Sequence, residues 1–263
     1  MLTTHDPSEY LYPIRMIGGQ HRALTHVALF TERRHVFVKA YPTDAPRSLI
    51  NDIIGYLMAR HAGIDQPPGG IIALPAHALA KVGIATNAPA IWCFTSTSCV
   101  DLNDRRHGSL AALFGDNLNT VQTILESWPG FAQLVAFDTW LANVDRNTGN
   151  LMLTGENTLC PIDHSDILTG PAWQFEHIVA AENQWTMNKL IELIWPMDTL
   201  PLPVRSAILN SAERFQKVYA QARSDLYYWL DGRDNALHRG HHFIWKRSES
   251  CKDILANKLS MIL

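Results

Sequence analysis

Between residues 11 and 41 the apolar positions come in short runs. Tyr12 to Ile17 and Ala23 to Phe30 flank Gly18 and Gly19, while Val36, Val38 and Ala40 alternate with Phe37, Lys39 and Tyr41, a period of two that predicts three strands. At Pro46 the period lengthens. Ile50, Ile53, Ile54 and Leu57 recur at helical spacing until Gly63, which predicts a helix over 46–61 with Pro46 in its first turn. Beyond the Pro/Gly break of Gln66 to Gly70, the runs Ile71 to Leu74, Val82 to Ala85 and Ile91 to Phe94 predict further strands.

The polar stretch after Phe94 marks a change, because helical spacing dominates from Asp104 onward. Phe131, Leu134, Val135 and Leu141 predict a helix over 131–143, and Thr186 to Trp195 a short one closed by Pro196. Val204, Ile208, Phe215, Tyr219, Leu226 and Trp229 predict a single long helix from Pro203 to Leu230, and Ile254, Leu255, Leu259 and Ile262 a docking helix at the C-terminus. The expected organisation is α+β in two parts. Residues 1–97 form a β-rich lobe, an antiparallel sheet with one helix, and residues 98–263 a mainly helical lobe.

With 47% hydrophobic residues in 263, the chain can bury a sizeable core. A net charge of −3 gives no general attraction to nucleic acid or anionic membrane, so neither is expected as a direct partner. A local basic run spans 233–252, with Arg233, His238, Arg239, His241, His242, Lys246, Arg247 and Lys252 against Asp234 and Glu249; it reads as a solvated face or a partner patch. Cys93, Cys99, Cys160 and Cys251 show no paired short spacing and are expected as reduced thiols. No HExxH or CxxC pattern accompanies the twelve histidines, which argues against a transition-metal site. No signal-peptide pattern or membrane-length apolar run is present, and a cytoplasmic location is expected.

Candidate chemistry concentrates between Phe137 and Ser165. Asp145 is followed by Arg146, then by Asn150, and after a predicted strand pair, Asn150 to Leu153 and Thr158 to Ile162, by Asp163. Such an order suits phosphoryl transfer: one carboxylate accepts the proton of an attacking hydroxyl, and an amide and a second carboxylate offer oxygen ligands to Mg²⁺ beside ATP. Upstream, Gly18 and Gly19 read either as a plain hairpin turn or as a turn over the phosphates, and Lys39 either as an edge-strand lysine facing water or as a cation for them. Asp52, on the predicted helix, is either a surface residue or the partner that holds Lys39. The crossover at Phe94 to Ser96 would supply backbone groups to an adenine edge.

The string AFDTWLANVDRNTGNLML, continued by IDHS, resembles the HipA-like kinases and, more distantly, the phosphoinositide kinases. The resemblance takes in Gly18, Gly19 and Gln20, the strand VFVKAY, and Asn51 with Asp52, and so spans roughly residues 10 to 230. It implies a bilobal protein-kinase-like fold, dependence on ATP and Mg²⁺, and phosphorylation of a Ser or Thr hydroxyl on a protein. Asp145 then resembles the catalytic base, Asn150 and Asp163 the metal ligands, and Lys39 the phosphate-binding lysine. Two positions depart from the family: Asn147 stands where His is usual, and Asp52 where Glu is usual. The chain is also shorter than full HipA toxins and is expected to lack their additional N-terminal subdomain, so toxicity and a DNA-binding antitoxin partner are not inherited from the resemblance alone; an antitoxin or other regulatory partner stays open. A small-molecule or lipid kinase, or a non-catalytic nucleotide-binding module, are the alternative readings.

Overall fold

Alternation at a period of two builds the sheet. The computed structural model describes residues 2–17, 23–41, 45–99, 107–194, 200–230 and 235–260; Gly18, Gly19 and Gln20 lie outside them. In chain order β1 (Thr3–His5), β2 (Tyr10–Met16), β3 (Leu24–Phe30) and β4 (His35–Ala40) precede helix α1 (Ser48–Ala62), and β5 (Gly69–Pro75), helix α2 (Ala76–Ala80) and β6 (Ala90–Thr97) follow. The strand order is β1-β5-β6-β4-β3-β2. Every neighbouring pair is antiparallel except β1 with β5, which is parallel, so the expected antiparallel sheet is in fact mixed. Thr3 to His5 is too short and polar to register as a strand by pattern. Gly70 admits it, because a Cβ there would lie 2.6 Å from the Thr3 carbonyl oxygen.

A second, three-stranded sheet, β7-β8-β9, joins β7 (Gly108–Ser109) to the predicted hairpin, β8 (Leu151–Gly155) and β9 (Thr158–Pro161). The remaining elements are helices: α3 (Leu110–Phe114), α4 (Leu118–Ser127), α5 (Phe131–Trp140), α6 (Phe175–Ala181), α7 (Lys189–Ile194), α8 (Leu202–Ala212), α9 (Phe215–Leu230) and α10 (Asn235–Lys258). Their apolar faces meet in one large core, where Trp140 stacks on Phe215 with ring centroids 4.6 Å apart. A smaller core of Phe30, Val36, Val38, Ile72, Leu74 and Cys93 lies against the six-stranded sheet. The fold class is therefore α+β, as expected.

Three expectations fail for physical reasons. Val82 to Ala85 is no strand: Ile84 is apolar because it plugs the sheet core from the turn after α2, where its N–H bonds the Leu79 carbonyl. The long helix over 203–230 is two helices, because α8 packs on α5 whereas α9 packs on α1 and α10, and no Pro or Gly marks the bend at Glu213 and Arg214. The C-terminal docking helix is the end of α10, which also carries the described part of the basic run. That run is not a uniformly solvated face, since Arg247 and His241 are buried. The cysteines are free, as expected, and three of them are buried. No helix among the described residues is long and apolar enough to cross a membrane.

Helix α1 joins the sheet to the helical core at close range. Gly55 sits so near His164 that a Cβ would fall 2.2 Å from that residue's own Cβ. Gly55→Ala should destabilise the protein by about 1–3 kcal/mol, the usual cost of overpacking, although alanine is the better helix former. Urea unfolding measures this; stability unchanged or raised would mean that α1 can slide away from His164.

Candidate active site

Lys39 is central rather than at an edge. Strand β4 runs between β3 and β6, with Lys39 opposite Thr25 on one side and Phe94 on the other. The Nζ atom lies 3.3 Å from Asp52 Oδ2 and 3.1 Å from Asp163 Oδ1, so one ammonium bridges a carboxylate from α1 and one from beyond β9. Asp52 is only 1% exposed, which removes the surface reading. It also accepts hydrogen bonds from the Tyr41 hydroxyl and, at 2.7 Å, from the His164 N–H. A carboxylate this buried needs such donors, because desolvating an unpaired charge is costly.

The two carboxylates compete for one cation, and the burden is uneven. Burial pushes the Asp52 carboxyl up, Lys39 opposes that, and the nearby Asp163 charge adds to the rise. Asp163 is only partly buried, its side chain 29% exposed, and Lys39 together with the Ser165 hydrogen bonds holds its carboxyl well below the usual range. Lys39 in turn is raised, since the two carboxylates outweigh the effect of burial on it. Lys39 thus favours the ionised form of both carboxylates. Asp163 adopts φ of 64°, a left-handed conformation that Asp tolerates better than most residues and that is held here by its neighbours.

The loop bearing Asp145 is tied down from beneath by Arg146. This guanidinium is fully buried and spends all five N–H groups: Nε and Nη2 reach Asp138 at 3.0 and 3.2 Å, Nη1 reaches the carbonyls of Ile162 and Asp163 at 2.5 and 3.2 Å, and Nη2 also reaches His164 Nδ1 at 3.1 Å. Asp138 lies on α5, where burial pushes its carboxyl up and Arg146 pulls it back, with Asn143 adding a hydrogen bond at 2.9 Å. His164 is pushed well below the ordinary histidine range, first by burial and then by Arg146, and so stays neutral. One side chain therefore fixes the Asp145 loop to the backbone on which Asp163 stands.

Within the loop the amides are used locally. Asn147 and Asn150 each donate through Nδ2 to the Asp145 carbonyl at 3.0 Å, and Asn147 Oδ1 accepts from Gly149 N–H at 2.8 Å. With the nitrogen of Asn150 committed, its side-chain oxygen is the atom available to a cation. The Ile162 N–H bonds the Asn150 carbonyl at 3.0 Å, which brings Asn150 beside the segment leading to Asp163, as the predicted hairpin required. An amide oxygen and an ionised carboxylate are hard donors that fit Mg²⁺ with ligand positions left for phosphate oxygens. Among the described residues no group of three His, Cys, Asp or Glu could hold a metal. The Asp145 carboxylate, 38% exposed, pairs with Lys189 of α7.

A cavity of about 270 Å³ lies against these groups, lined by Lys39, Asp52, Asp163 and Gly149 at one side and by Phe94, Ser96, Ser98 and Cys99 at another. Phe94 and Ser96 line it as expected, but their backbones cannot serve an adenine edge. Strand β6 is paired on both sides there, Phe94 with Lys39 and Ile71, and Ser96 with Phe37 and Gly69. Backbone past the ladder begins at Ser98. Pattern reading missed Asp138, Tyr41, His164 and Lys189; of these only Asp138 left a signal, a charge inside the apolar run of α5.

A sheet lysine is thus shared between a helix carboxylate and a carboxylate beyond a hairpin, and the loop leading into that hairpin carries Asp and Asn five apart. No protein-family model and no curated protein matches the sequence. Among solved structures the chain is similar to the Helicobacter pylori proinflammatory kinase CtkA, at 12% identity and a TM-score of 0.57 over 98% of both chains. Weaker likeness reaches HipA of Shewanella oneidensis MR-1, solved with HipB and operator DNA (10% identity, TM-score 0.47, 90% of this chain and 62% of that one). It also reaches the Golgi casein kinase with Mn and ADP bound (10%, 0.48, 96% and 73%). The first of these likenesses establishes the fold: the chain is protein-kinase-like in structure.

Removing Arg146 should cost more than removing any exposed charge of the site. Arg146→Leu leaves Asp138 buried without its partner, a loss of about 3–5 kcal/mol. Chemical denaturation reads this directly, and a variant as stable as wild type would show that the pair is not what secures the loop.

Proposed function

We propose that this chain is an ATP-dependent phosphotransferase, a HipA-like Ser/Thr kinase acting on a protein hydroxyl. The observation that carries the reading is the Lys39 ammonium shared between Asp52 and Asp163 on the wall of a cavity large enough for part of a nucleotide. In this reading the chain divides near residue 97 into a sheet lobe and a helical lobe with ATP between them. The adenine edge meets backbone at Ser98 and Cys99, Phe94 packs against the base, and Lys39, held by Asp52, pairs with the phosphates. Gly18, Gly19 and Gln20 cover the phosphates, a role that rests on the sequence resemblance.

Asn150 and Asp163 hold Mg²⁺, which when bound neutralises charge on the phosphate oxygens. Asp145 orients the acceptor hydroxyl and takes its proton as the hydroxyl oxygen bonds to the γ-phosphorus. The bond from that phosphorus to the bridging oxygen breaks, and ADP leaves with the electron pair. The low-lying Asp163 carboxyl keeps that ligand charged throughout. The protein nature of the acceptor rests on the resemblance in sequence, and labelled ATP tests it: with a cell lysate, label should enter precipitable protein rather than small molecules.

ATP with magnesium, at about 100 times its Kd, should raise unfolding free energy by roughly 2.7 kcal/mol. Asp163→Asn should abolish the magnesium-dependent part of this shift. Asp145→Asn should keep ATP binding and lower transfer by about 10² to 10⁴. Thermal unfolding and label incorporation are the measurements. No magnesium-dependent shift in wild type at millimolar ATP would sink the assignment.

A further inference from the structure

We propose that Lys189 is a further cation of the transfer site, held on Asp145 until the carboxylate is neutralised and then turned to the transferring phosphoryl group. This deepens the phosphotransferase reading and rests on it. Neither of the other two cations is available for that task. Arg146 is buried with every N–H used, and Lys39, held between Asp52 and Asp163, is already assigned to the phosphates of the nucleotide. Lys189 differs on both counts. It is 37% exposed and its described ion-pair partner is Asp145 Oδ1, the carboxylate to which the proposed function assigns the acceptor's proton.

The position of Lys189 is fixed by the fold. It opens α7, whose next two residues, Leu190 and Ile191, are buried in the helical core. Asn188, also buried, accepts from the Ile191 N–H at 3.3 Å through its side chain and from the Glu192 N–H at 3.0 Å through its carbonyl. The ammonium is therefore delivered to Asp145 from a segment 44 residues away and is not a wandering surface lysine. The Asp145 loop supplies no cation of its own besides Arg146, for residues 145–150 include no other Lys, Arg or His.

Charge explains the use. While Asp145 is ionised, Lys189 orients it and is itself neutralised. When the acceptor proton passes to Asp145, the pair loses its attraction and an uncompensated ammonium stands beside the phosphoryl group as its oxygens carry most charge. Lys189 then acts on the group being transferred and not on the nucleotide as a whole.

Replacing the carboxylate by an amide mimics its neutral form, so calorimetry with ATP and with ADP, both with magnesium, tests the idea without any acceptor. Asp145→Asn should bind ATP about two- to five-fold more tightly than wild type, the range of a partly exposed charge contact, with ADP affinity unchanged. Adding Lys189→Met should remove that gain, and Asp145→Asn with Lys189→Arg should keep most of it. In transfer assays Lys189→Met should lower turnover on the order of 10²-fold with little change in the KM for ATP. The ion pair is half exposed, so its loss should leave the unfolding midpoint nearly unchanged. Tight ATP binding by wild type with no ATP-specific gain in Asp145→Asn, or undiminished turnover in Lys189→Met, overturns the role of Lys189 alone. Failure of wild type to bind ATP overturns the phosphotransferase reading and this inference with it.

Discussion

The buried contact between Arg146 and Asp138 is the constraint on which the rest of the site depends. A guanidinium taken out of water is tolerable only if its five donors are met, and here they are met by one carboxylate, two carbonyls and one imidazole. These acceptors come from α5 and from the three residues directly after β9. Satisfying Arg146 therefore forces three chain segments into one geometry: its own loop with Asp145 and Asn150, α5, and the segment on which Asp163 lines the cavity. The neutral state of His164 follows from the same contact, because an imidazolium there would face the guanidinium without solvent.

Helix α1 supplies the second constraint, from the opposite side. Asn51 donates to the carbonyls of Ser165, Ile167 and Gly170 at 2.8 to 3.0 Å and accepts from Trp173 Nε1 at 2.9 Å. Asp52 accepts the His164 N–H, and Gly55 lets the helix come close enough for both. Three successive inward positions of α1 are thus spent on the segment that starts at Asp163. This explains why Asp rather than Glu can hold Lys39: α1 sits so close to that segment that the shorter side chain spans the gap to Nζ while its second oxygen takes the backbone N–H.

Much of this was legible in the residues and some was not. Strands β2 to β6 and helix α1 follow from periodicity, and the order of Asp145, Asn150 and Asp163 foretold both the hairpin and its return to the loop. Sequence could not decide Asp52, since a buried and an exposed Asp on a helix look alike until the partner strand is placed. Strand β1 was hidden because parallel pairing at an edge needs backbone only. The break between α8 and α9 was hidden because it arises from the positions of α5, α1 and α10 and not from any breaker. Backbone availability misled at Phe94 and Ser96, because the apolar run stops at Phe94 whereas the strand and its pairing run on to Thr97. The basic run misled in the same way, for charge along a chain says nothing of which side faces the core.

Arg247 shows what that last misreading conceals. The final carbonyls of a helix lack intrahelical donors, and those of α5 end directly before the loop that carries Asp145. Arg247 donates to the carbonyls of Thr139 and Trp140 there, the latter at 2.9 Å, and with its other arm to those of Ala181 and Gln184 at 2.6 and 2.8 Å. A cation at the negative end of α5 is favourable even when burial lowers its pKa to about 10. The carbonyls of Ala181 and Gln184 belong to the segment between α6 and α7, which leads to Lys189. Arg247 thus braces from behind the two stretches that present Asp145 and Lys189 to one another, so the C-terminal helix helps to set the spacing of that charge pair.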